Sequence, residues 1–181
     1  MRKSSLNRQS VALKVALVGI MAATVECGKL VLASIPNVEV VTLLIGLYSY
    51  TFGWLGILAS LIFVCIEPLI WGLGTWVISY FIYWPLVALI FAAFGAIGVK
   101  NRVVLTSFAV VLTFLFGVLT ALVDGGLFTG NFDNFLYRFG IYYARGIVFY
   151  ALQIACNLVL FLFVFRFLAD KIKSLAYLNK K

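Results

Sequence analysis

The sequence predicts an all-α integral membrane protein: one domain over residues 1–181, a bundle of six transmembrane helices with both termini cytoplasmic. Three observations predict it. First, 65% of the residues are hydrophobic and 11% charged, with a mean hydropathy of +1.14, whereas a soluble domain carries about a quarter charged residues. Second, the charges are confined. Glu39 and Glu67 are the only acids or bases between Lys29 and Lys100, and residues 103–123 and 146–165 contain none. Third, the basic residues fall on alternate connections between apolar runs, which orients the bundle.

A bilayer core about 30 Å thick takes roughly 20 apolar residues per helix, and the runs divide at their breakers. The first covers about 9–34 and stops at Pro36-Asn37. The second, about 40–52, is short and ends near Gly53; the third runs from Trp54 to Ile66 and stops at Glu67-Pro68. Trp71-Gly72-Leu73-Gly74 leads into the fourth, about 75–99, closed by Lys100-Asn101-Arg102. The fifth spans about 103–123, a polar loop follows over about 124–140, and the sixth covers about 141–168. The two short spans need tilt or longer neighbours. Runs this continuous argue against a membrane β-barrel, whose segments alternate. The run from Val11 to Ile35 is too long for a signal-peptide core.

Arg2, Lys3, Arg8, Lys14, Lys100, Arg102, Arg166, Lys171, Lys173, Lys180 and Lys181, 11 of the 14 basic residues, fall on one side of this bundle. The positive-inside rule makes that side cytoplasmic. Glu39, Glu67, Asp124 and Asp133 fall on the other. The net charge of +8 is thereby a topology signal, and no nucleic-acid partner is needed.

Several chemistries are excluded. The chain has no His, which removes Ser-His and Cys-His catalysis and the usual zinc sites. It has no G-x-x-x-x-G-K-[ST] phosphate cradle. Cys27, Cys65 and Cys156 are isolated in apolar runs and read as small packing residues. Few polar groups lie at membrane depth: Glu26 and Lys29 in span one, Gln153 and Asn157 in span six. Each pair shares a helix face. For Glu26 and Lys29 that spacing suits a mutual ion pair, or else a place facing a cavity; for Gln153 and Asn157 it suits hydrogen bonds between helices. The chain is therefore a binder without an engine, and no catalytic residue is assigned.

The outer connections hold the candidate binding residues. Trp71, Trp76, Tyr80, Tyr83, Tyr142 and Tyr143 supply aromatic walls, and Asn37, Glu39, Asp124, Arg138 and Arg145 supply polar contacts. An interfacial aromatic belt places the same residue types at membrane edges; the company of acids, amides and glycines favours a site. Arg145 either snorkels to headgroups or pairs with Asp124 or a ligand. In span one, Ala12 and Ala16, then Gly19 and Ala23, repeat small residues every four positions, which allows close helix approach.

On these features the chain resembles the substrate-binding S components of energy-coupling factor (ECF) vitamin transporters. The strings Pro36-Asn37-Val38-Glu39-Val40-Val41-Thr42-Leu43-Leu44, Gly72-x-Gly74-x-Trp76 and Tyr83-Trp84-Pro85-Leu86 are similar to a Firmicute branch of that family. The resemblance implies a six-helix S-component fold in a bacterial plasma membrane. It implies capture of a vitamin from outside, with cobalamin (vitamin B12) as the leading cargo and riboflavin, pantothenate, pyridoxine or a pyrimidine precursor as alternatives. It also implies docking through Gly19 and Ala23, or alternatively Ala12 and Ala16, on an ECF transmembrane coupling subunit that works with two ECF ATPase subunits. Glycine at position 19 departs from the alanine usual there. A scaffolding membrane protein that self-associates through span one is the competing class.

Overall fold

The computed structural model describes residues 11–35, 38–127 and 134–178, which are helical throughout their regular structure, with no strand among them. The helices are α1 (Val11–Leu32), α2 (Val41–Phe52), α3 (Trp54–Trp71), α4 (Trp76–Ile97), α5 (Arg102–Leu122), α6 (Phe135–Val159) and α7 (Arg166–Leu178). Wider, π-helical turns extend α5 over Val123–Leu127 and join α6 to α7 over Leu160–Phe165. Five helical stretches are long and apolar enough to cross a membrane: Val11–Leu32, Trp54–Trp71, Trp76–Ile97, Arg102–Gly126 and Phe135–Leu175. The chain is a multi-pass helical membrane protein on that evidence. Its outer surface agrees, carrying exposed Val15, Ile20, Leu69, Ile97, Val148 and Phe163 that no aqueous surface would group.

α2 is the exception. Its 12 residues extend only ~18 Å at 1.5 Å per residue, short of a bilayer core. It survives by enclosure: Leu43, Ile45, Leu47 and Tyr50 are almost fully buried among the longer helices. Close approach is possible because its neighbours present glycine. A methyl group on Gly95 of α4 would lie 2.1 Å from the Tyr50 carbonyl oxygen, and one on Gly56 of α3 would lie 2.4 Å from the Ser49 nitrogen. Gly53 alone separates α2 from α3 and turns the chain at φ 61°, a conformation that side chains resist.

Beneath α2 the core is aromatic. Phe91 of α4 packs 5.2 Å from Phe161, which stacks 4.8 Å from Phe165. The wide turn at Leu160–Phe165 keeps both rings inward, fully buried. At that end of the bundle Tyr50 donates to the Val99 carbonyl at 2.7 Å and accepts from Arg166 at 2.9 Å, while Arg166 also pairs with Asp170. Asn101 caps α5 by accepting from the Val103 and Val104 amides.

Three expected boundaries move. α3 continues through Glu67 and Pro68 to Trp71; a proline near a helix end forfeits little, and the Gly72 amide closes the last turn on the Pro68 carbonyl at 3.0 Å. The polar loop after α5 is shorter than expected, since helix resumes at Phe135. The last span is longer, one helical rod from Phe135 to Leu178. Cys27 and Cys65 face outward, so neither packs inside this bundle as expected.

Close packing at Gly95 predicts that Gly95→Ala destabilises the protein by about 1–3 kcal/mol, seen as a lower melting temperature in detergent. Gly19→Ala is the control: a methyl there meets nothing within 4 Å, and melting should not fall.

Candidate functional site

Alternating helix directions bring the end of α1, the start of α2, the end of α3 and the start of α4 to one end of the bundle, where they surround a cavity of about 320 Å³. Lys29 and Leu32 enter from α1, Glu39 from the α1–α2 connection, Trp71 from α3, Tyr80, Tyr83 and Trp84 from α4, Phe116 from α5 and Gln153 from α6. The α4 residues share a face because their spacings are three and four. Their rings brace one another edge to face. Trp76 meets Tyr80 at 5.0 Å, Tyr80 meets Trp84 at 5.6 Å, and Tyr83 lies 4.7 Å from both Trp84 and Phe116. The walls are thus large, flat and held without a ligand.

Lys29 anchors one side. Its ammonium pairs with Glu67, a carboxylate with no exposure at all. It also lies over three rings, 5.3 Å from the centre of Trp71, 5.3 Å from Tyr80 and 6.0 Å from Trp76, distances at which a cation is attracted by the π face. The expected Glu26–Lys29 pair is therefore corrected: Lys29 reaches across to α3. Glu67 is the more deeply buried acid and has the greater need of a counter-charge. Glu26 is itself buried, with Glu67 and Lys29 in electrostatic reach.

Glu39 anchors the other side. Its carboxylate accepts from the Thr42 amide (3.1 Å), the Thr42 hydroxyl (2.6 Å) and Asn157 Nδ2 (2.7 Å). Asn157 also donates to Thr113 (3.0 Å), and Cys156 to the Glu39 carbonyl (3.2 Å). One acid thereby ties the start of α2 to α5 and α6, and its negative charge suits the helix N-terminus. Asn157 makes the inter-helix bonds its position predicts. Gln153 does not: its Oε1 is buried without a partner, and so is Trp84 Nε1. Both residues line the cavity.

Of the residues anticipated from sequence, Glu39, Trp71, Tyr80 and Tyr83 line the cavity and Trp76 stands behind Tyr80. Asp124, Arg138, Tyr142, Tyr143 and Arg145 lie outside its wall. Asp124 is half-buried in the wide turn after α5, and Tyr142 sits against Gly125. Arg138 is half-buried in the first turn of α6. Tyr143 joins a ring row with Phe139 and Tyr150. Arg145 is exposed, and no ion pair joins it to Asp124. Asn37 lies outside the described residues. The sequence reasoning missed Trp84, which the four-residue step from Tyr80 signals, and Phe116, which nothing distinguishes within a uniformly apolar span.

Ala12, Ala16, Gly19 and Ala23 are all exposed on α1, whose Val18, Met21 and Ala22 pack instead against Leu55 and Ala59 of α3. The small-residue stripe is not used inside this chain.

Comparison of the chain with protein-family models, curated proteins and solved structures returned no match.

The Lys29–Glu67 pair predicts a double-mutant cycle. Lys29→Met leaves a buried carboxylate alone and costs about 3–5 kcal/mol, whereas Lys29→Met with Glu67→Gln recovers most of that loss. Unfolding of Lys29→Met, Glu67→Gln and the double variant in detergent, each against the unsubstituted chain, measures the coupling.

Proposed function

We propose that this chain is the substrate-binding S component of an ECF-type transporter in a bacterial plasma membrane. The observation that carries this reading is the aromatic cavity walled by Tyr80, Tyr83, Trp84 and Phe116, with Lys29, Glu39 and Gln153 as placed polar groups. Aromatic contact area with a few convergent polar groups is what a small-molecule site requires. The positive-inside rule sets the opening of this cavity on the extracellular side. There it captures a vitamin; nothing in the sequence supplies energy to move it.

Release inward then belongs to partners: an ECF transmembrane coupling subunit and two ATPase subunits. The uncovered stripe of Ala12, Ala16, Gly19 and Ala23 supports a docking face, since small residues let a partner helix come close. Docked there, the S component topples in the membrane and turns its cavity inward. The resemblance favours cobalamin as cargo. The volume of about 320 Å³ favours a second reading, because it sits at the small end of the ~300–1,000 Å³ range of ligand sites. A vitamin of one to three rings fits the cavity itself, whereas a corrin needs the space above it as well.

Mass spectrometry of gently purified protein should find one bound vitamin; empty, self-associated oligomers would support the scaffold instead. Tyr80→Ala should weaken binding of that vitamin at least tenfold, about 1.4 kcal/mol. Gly19→Leu combined with Ala23→Leu should abolish uptake by cells holding the partner subunits while leaving binding intact. Loss of binding and uptake together would show misfolding and count against the docking face.

A further inference from the structure

We infer that the cargo carries a positively charged nitrogen, which docks against Glu39 within the aromatic cavity. The inference rests on the capture reading above and adds the charge class of the ligand.

Glu39 is a carboxylate without a cation. Among the described residues the ion pairs are Lys29–Glu67 and Arg166–Asp170, so no basic side chain neutralises it. Its three hydrogen-bond donors, the Thr42 amide, the Thr42 hydroxyl and Asn157, are all neutral. A carboxylate offers about four acceptor sites. These donors fill three, fix the group in place and leave Oε2 able to accept once more. An ionised acid held like this in the wall of a membrane helix bundle is expensive unless something positive arrives.

Lys29 does not supply that charge. Its ammonium is spent on Glu67, with Glu26 in electrostatic reach of both. With Lys29 paired to Glu67, Glu39 is the acid left without a counter-charge in the cavity wall. The rings add to the same bias. Tyr80, Tyr83, Trp84 and Phe116 line the cavity, ring faces attract cations, and Trp71 and Tyr80 already hold the ammonium of Lys29. Gln153 Oε1 contributes a further acceptor without a partner. Trp84 Nε1 is a buried donor left unused in this wall, so the cargo also presents an acceptor. A protonated ring amine or an N-alkylated heteroaromatic cation meets these terms. A carboxylate or phosphate ester would meet the Glu39 carboxylate and a lysine already paired.

Trp71, Trp76 and Trp84 make the site self-reporting, so the test is intrinsic fluorescence of the purified full chain in detergent at neutral pH. The probes are thiamin and pyridoxamine as cations, riboflavin and cobalamin as uncharged or weakly charged ligands, and pantothenate as an anion. At least one cation should bind saturably and at least tenfold tighter than the others, and Glu39→Gln should erase that preference. The wild-type ranking decides the matter even where the variant does not fold. Tightest binding of riboflavin, cobalamin or pantothenate would overturn the charge assignment and leave the capture reading standing. If no probe binds and no compound accompanies the protein through purification, both fall.

Discussion

A carboxylate with no solvent exposure inside an apolar helix has to be compensated, and the compensation of Glu67 organises the cavity end of this protein. The counter-charge comes from Lys29 of α1, 38 positions before Glu67 in the chain. Satisfying Glu67 therefore pins the first helix to the third. It also draws a long side chain past Trp71, Trp76 and Tyr80, whose rings close around the ammonium. A single buried acid thus produces both a helix contact and one wall of the cavity.

A second polar knot, centred on Glu39, does the same for the opposite wall. Thr42, Thr113 and Asn157 come from three helices and meet within one hydrogen-bonded cluster. Together the two knots hold the cavity end without filling it. At the far end of α2 the work is done differently, by stacked phenylalanines and by Tyr50 between Arg166 and the Val99 carbonyl. The bundle is consequently filled by stacked phenylalanine rings at one end and hollow at the other. Walls set before a ligand arrives spare the cost of ordering them on binding.

Much of this was legible in the amino-acid order. Confinement of charge and the length of the apolar runs give the membrane helices, and the short α2 is visible between Asn37 and Gly53. Tyr80 and Tyr83 are found because they follow the Gly- and Trp-rich connection at the start of α4. What could not be read is pairing across helices. Glu26 and Lys29 are neighbours on one face, and local spacing offers no hint that Lys29 prefers Glu67, 38 positions away. The same limit applies to Glu39 and Asn157, 118 apart. Phe116 and Gln153 join the cavity only through the packing of α6 on α5 and of α5 on α4, which uniform apolar runs do not encode. Conversely, Tyr142, Tyr143 and Arg145 have the right chemistry but lie outside the wall, because α6 begins earlier than its polar start indicates.

The central claim is that this chain binds cargo and does not pump it. Reconstitution of the chain by itself into liposomes, with a labelled form of the vitamin that accompanies it through purification, tests that claim most directly. The account predicts retained label that saturates in proportion to the protein present, with no rise of the internal concentration above the external one. Accumulation of label inside the vesicles against its gradient, without any other subunit, would contradict it.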